Sequence, residues 1–263
     1  MSFIDIPWRN RIIQIEYEWV GETSSDAPIL VFLHEGLGSV AMWRDFPDHL
    51  SKRLGMRGLI YSRPAYGASS PKDRKEVWEL DFLHQQADEV FPAVLSAFNI
   101  QQPVHVLGHS DGGSIALLIG ALAPTLVKSL ILMSPHIFVE DITVKNIYQA
   151  KIEYEQGELR PRLAKFHQDV DSAFYAWNDV WLKPEFINWN IEKELALIQC
   201  PILAMQGQQD PYGTMSQIND IAKYVERIEL VEIPNCGHSP HRDSPIIAMD
   251  AIFNFIQQLK NNS

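Results

Sequence analysis

The chain has 263 residues, of which 46% are hydrophobic and 21% are charged, and its formal net charge is -11 at pH 7. This length and apolar content predict one globular domain, or one domain with an insertion. The negative charge argues against a nucleic-acid partner and against an anionic membrane surface, because basic side chains would have to meet the phosphates of either.

The N-terminal residues, MSFIDIPWRN, lack an apolar stretch long enough for a signal peptide. The longest apolar run, at residues 115–123, is too short to span a bilayer. Cys200 and Cys236 are expected to be unpaired thiols in a reducing compartment, with a disulfide between them as the alternative. We therefore expect a cytoplasmic protein with no membrane partner.

Strand-like and helix-like segments alternate along the first half of the chain. Apolar runs predict strands at residues 11–20, 29–33, 58–62, 104–107 and 129–134, and helical periodicity is present at 43–54 and 80–98. The run ILVFL at 29–33 is typical of a strand that is buried on both faces of a parallel sheet.

Residues 136–198 interrupt this rhythm, because their spacing is mostly helical, they carry no clear strand, and they are dense in aromatic residues. Strands then return at 201–205 and 228–233, with helices at 215–225 and 246–259. An interruption of roughly 60 residues is several times the usual connection length, although an ordinary crossover is the alternative. We predict a core domain formed by residues 1–135 and 199–263, with a helical cap at 136–198.

The stretch VHVLGHSDGGSIALLIG at residues 104–120 combines a β-branched run, a glycine-rich turn and an apolar run of helical character. A strand, a G-x-S-x-G turn and a helix in this order predict a nucleophile elbow with Ser110 at its tip. Side chains at Gly108 and Gly112 would collide with neighbouring backbone in so tight a turn. The helix N-terminus that follows favours a developing anion. A chance match in an ordinary glycine turn is the alternative.

A serine hydroxyl is a weak nucleophile unless a base takes its proton, and that base is most often a histidine oriented by a carboxylate. Two histidines follow predicted strands from which they could reach Ser110, namely His34 and His238. His109 precedes the serine, but its side chain is expected to point away through the elbow. His238, in a Gly-His pair after the last predicted strand, is preferred over His34, with His241 as its rival.

The acid that would orient the base is predicted at Asp210, which directly follows a predicted strand. A plain turn aspartate before proline is the alternative at this position, and Glu140 and Asp141 are the fallback acids. Ser110, Asp210 and His238 then occur in the chain order nucleophile, acid, base. That order is the one found for triads built on this kind of sheet.

Four motifs together carry a resemblance to a known family. They are H-x-G-x-G-S at residues 34–39, R-P-x-Y-G-x-S at 63–69, the elbow at 108–112, and G-x-x-D at 207–210 with G-H at 237–238. In this order they resemble the capped serine hydrolase branch of the α/β-hydrolase superfamily over nearly the full chain. The resemblance implies an α/β-hydrolase fold, with a mostly parallel eight-stranded sheet, helices on both faces and an inserted helical cap.

The same resemblance implies roles for individual residues. Ser110 matches the nucleophile, Asp210 the acid and His238 the base. The backbone N–H of Asp111 matches one donor of the oxyanion hole, and the loop after His34 supplies the second donor, which the alignment places at Gly36.

Glu35 stands where relatives usually have glycine. Its carboxylate could contact a polar or cationic part of the substrate, or it could merely cap the loop. The role of the Asp111 side chain is also left open, because it could shape the pocket or form a local salt bridge. Most aromatic residues of the cap are expected to form its own core, with Trp177 or Trp181 facing the substrate.

Serine at the elbow argues against the dehalogenase and epoxide-hydrolase branches of this fold, which use aspartate there. We expect a serine hydrolase that cleaves a small, largely apolar carboxylic ester, thioester or lactone by acyl-enzyme chemistry. The same residues would serve a carbon–carbon bond hydrolase of ring-cleavage diketones or an acyltransferase. A non-catalytic protein that binds a small hydrophobic ligand is a remoter alternative, which predicts a degraded triad.

No cofactor is expected. The sequence has no ligand cluster with zinc spacing and no phosphate-cradling glycine loop, so it predicts no metal, ATP or dinucleotide site. The expected partner is a small-molecule substrate. The choice between a monomer and a homodimer stays open.

Overall fold

A computed structural model describes residues 1–73 and 76–261 of the chain. Within these residues, eight strands form one sheet in the order β1-β2-β4-β3-β5-β6-β7-β8. The strands are β1 (Ser2–Trp8), β2 (Arg11–Gly21), β3 (Ile29–Leu33), β4 (Arg57–Tyr61), β5 (Val104–His109), β6 (Val127–Met133), β7 (Ile202–Gly207) and β8 (Ile228–Ile233). β2 pairs antiparallel with β1 and β4, and the other neighbours are parallel. The predicted mostly parallel sheet is confirmed.

Helices cover both faces of this sheet. In chain order, the α-helices of the described residues are α1 (Phe46–Leu54), α2 (Phe82–Gln85), α3 (Phe91–Ala97), α4 (Asp111–Leu122), α5 (Asp141–Gln156), α6 (Leu159–Leu163), α7 (Val170–Trp181), α8 (Glu192–Leu195), α9 (Ser216–Asn219), α10 (Pro240–Asp243) and α11 (Pro245–Asn261). Helix α4 packs against β5 and β6. It is buried on nearly every side, as expected for a helix that is apolar all round. In the described part of the chain, no helix combines the length and apolar character needed to cross a membrane.

Strand β3 shows how the sheet divides the core into two layers. Ile29, Val31 and Leu33 join the apolar cluster that contains α4, whereas Leu30 and Phe32 join the cluster on the opposite face, with α1 and α11. Alternate side chains of a strand point to opposite faces. All five residues are therefore buried, which is why the sequence shows an unbroken apolar run here.

The segment between β6 and β7 contains helices α5 to α8 and, among its described residues, one isolated antiparallel bridge between Phe138 and Asn190. Its rings pack mainly on one another, with Tyr154 stacked on Phe174 at 3.6 Å between centroids. This agrees with the expectation that most of these aromatic residues form a local core. The division into core and cap stays a prediction, and positions 74, 75, 262 and 263 of the predicted core lie outside the described residues.

Several predicted boundaries were wrong. Strand β1 was not predicted; it is an edge strand, where Pro7 is tolerated because its missing N–H need not meet a partner strand. The predicted helix at 43–54 begins instead as a 3₁₀ turn, Val40–Trp43, and turns at Arg44 before α1. The predicted helix at 80–98 carries a π segment, Gln86–Val90, between α2 and α3. The predicted helix at 215–225 is a short α9 followed by a 3₁₀ turn, Asp220–Lys223.

Candidate active site

Ser110 occupies the sharp turn between β5 and α4, with a φ of 53° that L residues rarely adopt. A Cβ at Gly108 would clash with the backbone carbonyl of Gly112, and a Cβ at Gly112 would clash with that of Leu33. Both glycines are therefore required sterically, as the elbow motif predicts. The backbone N–H of Ser110 donates to the carbonyl of Met133 at 2.9 Å, which anchors the turn to β6.

Replacing Gly112 by alanine is expected to lower the free energy of unfolding by about 2 to 3 kcal/mol, because the new methyl group must push β3 away from the elbow. Urea unfolding measures the change. Gly55→Ala is the matched control, because Gly55 has a φ of 66° and a methyl group added there would meet no atom within 4 Å. It should cost only about 1 kcal/mol of backbone strain. Equal costs at the two positions would contradict the steric explanation.

The loops after β7 and β8 bring Asp210 and His238 together. Nδ1 of His238 lies 2.8 Å from each carboxylate oxygen of Asp210. Oδ1 of Asp210 also accepts from the N–H of Tyr212 at 2.8 Å. Burial would raise the pKa of Asp210, but these hydrogen bonds and the nearby histidine hold that pKa below its usual value. With its Nδ1 hydrogen directed at Asp210, the neutral His238 ring keeps Nε2 as a proton acceptor.

The other histidines that the sequence offered have different partners. Nε2 of His34 accepts from the backbone N–H of Arg63 at 3.0 Å. His241 is buried against Trp43, with 5.0 Å between ring centroids. His109 is absent from the lining of the cavity beside Ser110, and its Nε2 lies 2.8 Å from the backbone carbonyl oxygen of His238.

The fallback acids do not take the place of Asp210 beside His238. The carboxylate of Glu140 accepts hydrogen bonds from the N–H and hydroxyl of Thr214 at 2.9 and 2.7 Å. Asp141 is exposed in the first turn of α5.

A cavity of about 150 Å³ opens beside Ser110. It is lined by Glu35, Gly36, Leu37, Ser110, Asp111, His136, Thr143, Ile147, Trp177, Trp181, Tyr212 and His238. Every predicted site residue except Asp210 therefore lines the cavity, and Asp210 lies behind His238. Sequence reasoning missed Leu37, His136, Thr143, Ile147 and Tyr212. Two of them carried a positional signal, because His136 closely follows β6 and Tyr212 follows Asp210 by two residues.

Gly36 lies beside the elbow because β3 and β5 are parallel neighbours, with Leu33 opposite Gly108. Asp111 is the first residue of α4, and the first N–H groups of a helix have no intrahelical acceptor. Both residues line the cavity, so this wall can offer backbone N–H groups and the positive end of the α4 dipole to an anion.

The Asp111 carboxylate is buried against Arg63, with 4.0 Å between Oδ2 and Nη2. Burial raises the pKa of Asp111 to about 6, even though the Arg63 charge opposes the shift. Arg63 itself is fully buried and donates to the carbonyl of Glu35 at 2.9 Å. The Asp111 side chain thus combines the two roles that the sequence left open, because it lines the cavity and lies next to the opposite charge of Arg63.

Trp177 of α7 closes over Gly36, since a Cβ at Gly36 would clash with the indole Nε1. Gly36→Ala is therefore expected to displace the indole or the loop and to lower kcat/KM for a short aryl ester by about 100-fold. In a Trp177→Ala background the same change should cost much less, because the clashing ring is gone. An equal loss in both backgrounds would show that the clash is not the cause.

Among residues 1–73 and 76–261, no group of three or more His, Cys, Asp or Glu side chains is placed to hold a metal ion. Cys200 and Cys236 are free thiols, as expected. Burial raises the pKa of both.

Comparisons with known proteins identify the family of this chain. Residues 30–250 match the sequence model of the Alpha/beta hydrolase family. Serine hydrolase BPHL of Mus musculus is 25% identical over 87% of this chain and 78% of its own length. Pimeloyl-[acyl-carrier protein] methyl ester esterase of Nitrosomonas europaea is 23% identical over 85% of this chain and 94% of its own. A solved structure from a study of carboxylesterases of Nitrososphaera gargenis superposes with a TM-score of 0.80 at 17% identity, covering 98% of this chain and 100% of that one.

Proposed function

This chain belongs to the alpha/beta hydrolase family and is a hydrolytic enzyme, and we propose that it cleaves a small, largely apolar carboxylic ester, thioester or lactone. One observation carries the proposal. The hydrogen-bonded pair of Asp210 and His238 is adjacent to the same small cavity as Ser110, which sits at an elbow with positive φ. This arrangement suits acyl transfer through a serine nucleophile.

In the proposed mechanism His238 takes the proton of Ser110 as the serine oxygen attacks the substrate carbonyl carbon. Asp210 holds the imidazole in the required tautomer and stabilises the imidazolium that forms. The backbone N–H groups of Asp111 and Gly36 receive the oxyanion, and one such donor contributes about 3 kcal/mol to the transition state. His238 then protonates the leaving group, and water activated by the same ring hydrolyses the acyl-enzyme.

The size and lining of the cavity support the proposed substrate class. A volume of about 150 Å³ suits a small acyl group. Leu37, Ile147, Trp177 and Trp181 supply apolar and aromatic walls, which favour an apolar acyl group over a sugar or a nucleotide.

Mass measurement of the intact protein after exposure to a fluorophosphonate probe tests the proposal. One adduct on the wild type that is absent from Ser110→Ala is the expected result. Short aryl esters and vinylogous diketones are then compared as substrates, and faster diketone cleavage would favour the carbon–carbon hydrolase alternative. A folded wild type that takes no adduct would overturn the serine hydrolase proposal in favour of a binding protein.

A further inference from the structure

Two side chains next to the proposed triad have no part in the mechanism above. Glu35 immediately precedes Gly36 in the loop after β3, and His109 immediately precedes Ser110 in the elbow. The His109 side chain is 1% exposed and that of Glu35 is 16% exposed. Both side chains are therefore surrounded mainly by protein atoms rather than by water.

Both ring nitrogens of His109 face acceptors. Nε2 lies 2.8 Å from the carbonyl oxygen of His238, which can only accept, so Nε2 carries a hydrogen. Nδ1 lies 3.5 Å from Oε2 of Glu35, which is within ion-pair distance but without hydrogen-bond geometry. A neutral ring would turn the lone pair of Nδ1 toward that carboxylate oxygen. With a hydrogen on Nδ1 as well, the ring would be an imidazolium, and its charge would attract this carboxylate.

Glu35 is suited to be the anion of this pair. Burial by itself would raise the pKa of its carboxyl, but His109, Arg242 and His241 hold that pKa well below the usual range. Its second oxygen, Oε1, lies 3.4 Å from Nη2 of Arg242, which also donates to the carbonyl of Met42 at 2.8 Å. The carboxylate therefore has the His109 ring beside one oxygen and the Arg242 guanidinium beside the other.

We propose that Glu35 and His109 form a buried ion pair that ties the loop carrying Gly36 to the backbone of His238 across the nucleophile elbow. Both are positioning residues, and the inference rests on the proposed function. Glu35 is the chain neighbour of Gly36, and His109 is the chain neighbour of Ser110. His109 also hydrogen-bonds to the backbone carbonyl of His238, the proposed base. A shift of about 1 Å in the placement of such groups can cost 100-fold in rate.

Glu35→Gln and His109→Gln test the pair with little change in shape. The amide of glutamine at position 109 can still donate to the His238 carbonyl, but it carries no charge for Glu35. Each variant is expected to lower kcat for a short aryl ester by about 10- to 100-fold, with KM changed less than about threefold. The fluorophosphonate labelling rate of Ser110 should fall in parallel. Since the two residues act as one unit, the double variant should lose no more than the worse single variant.

Asp250→Asn is the matched control. It removes the exposed ion pair that Asp250 forms with Arg53 at 2.6 Å, and exposed pairs contribute little. Its kcat and labelling rate should equal those of the wild type. Thermal unfolding of every variant separates a loss of positioning from a loss of folded protein.

Nitrogen-15 NMR of the wild-type ring tests the pair without any catalysis. Chemical shifts typical of two protonated nitrogens are expected for His109, identified by their absence from His109→Gln, and Glu35→Gln should abolish them. A neutral His109 ring overturns the inference. Labelling of Ser110 at the wild-type rate in both Glu35→Gln and His109→Gln would also overturn it. A wild type that takes no label would instead contradict the proposed function, while the NMR result still decides whether the pair exists.

Discussion

Ser110→Ala is expected to lower kcat for a short aryl ester by about 10⁶-fold, with little change in KM. The alanine keeps the elbow and the cavity but removes the oxygen that would attack the carbonyl carbon. The residual rate should come from substrate binding and the oxyanion donors alone. Steady-state kinetics of the purified variant measures the loss, and active-site titration with the fluorophosphonate probe excludes contaminating wild type.

Ser25→Ala is the control for this experiment, because Ser25 is exposed in the turn before β3. It should retain both the wild-type rate and the single fluorophosphonate adduct. If Ser110→Ala kept a rate within about tenfold of the wild type, the nucleophile would have to be another residue.

Asp210→Asn should lower kcat by about 10⁴-fold. The amide oxygen of asparagine can still accept from the N–H of Tyr212, so the loop after β7 should keep its shape. Its NH₂ group, however, would donate to Nδ1 of His238 and leave the imidazole hydrogen on Nε2. The ring would then be in the wrong tautomer to take the proton of Ser110.

Asp141→Asn is the matched control, since Asp141 is the alternative acid and its carboxylate is exposed at the start of α5. It should keep kcat within about twofold of the wild type. The reverse outcome, with Asp141→Asn inactive and Asp210→Asn active, would assign the role of the acid to Asp141 at the start of α5. Steady-state kinetics of the two variants on one ester decides between them.

Most strands were predictable because they are local apolar runs. The unbroken run of β3 reflects burial on both faces of the sheet, which is a property of consecutive residues. Strand β1 was missed because an edge strand that contains proline and aspartate lacks such a run. The helix at 80–98 is interrupted by a π segment next to Pro92, whose missing N–H breaks the regular bonding pattern.

The elbow could be derived almost entirely from its own residues. Gly108 is needed because it lies against the backbone of Gly112, and Gly112 is needed because it lies against the backbone of Leu33 on the neighbouring strand. The order of Ser110, Asp210 and His238 followed from motifs at the carboxyl ends of parallel strands, which converge at one edge of the sheet. The structure added the distances between Asp210 and His238, a pair that the motifs had already favoured over the rival residues.

The sequence by itself determined the fold class and the motifs at the strand ends, because both depend on residues that are close together along the chain. Tertiary structure alone decided that Trp177 closes on Gly36 and that His109 lies between Glu35 and the backbone of His238. These contacts join residues from 74 to 141 positions apart. Packing across such separations depends on how the whole chain is arranged, and no local periodicity or spacing encodes it.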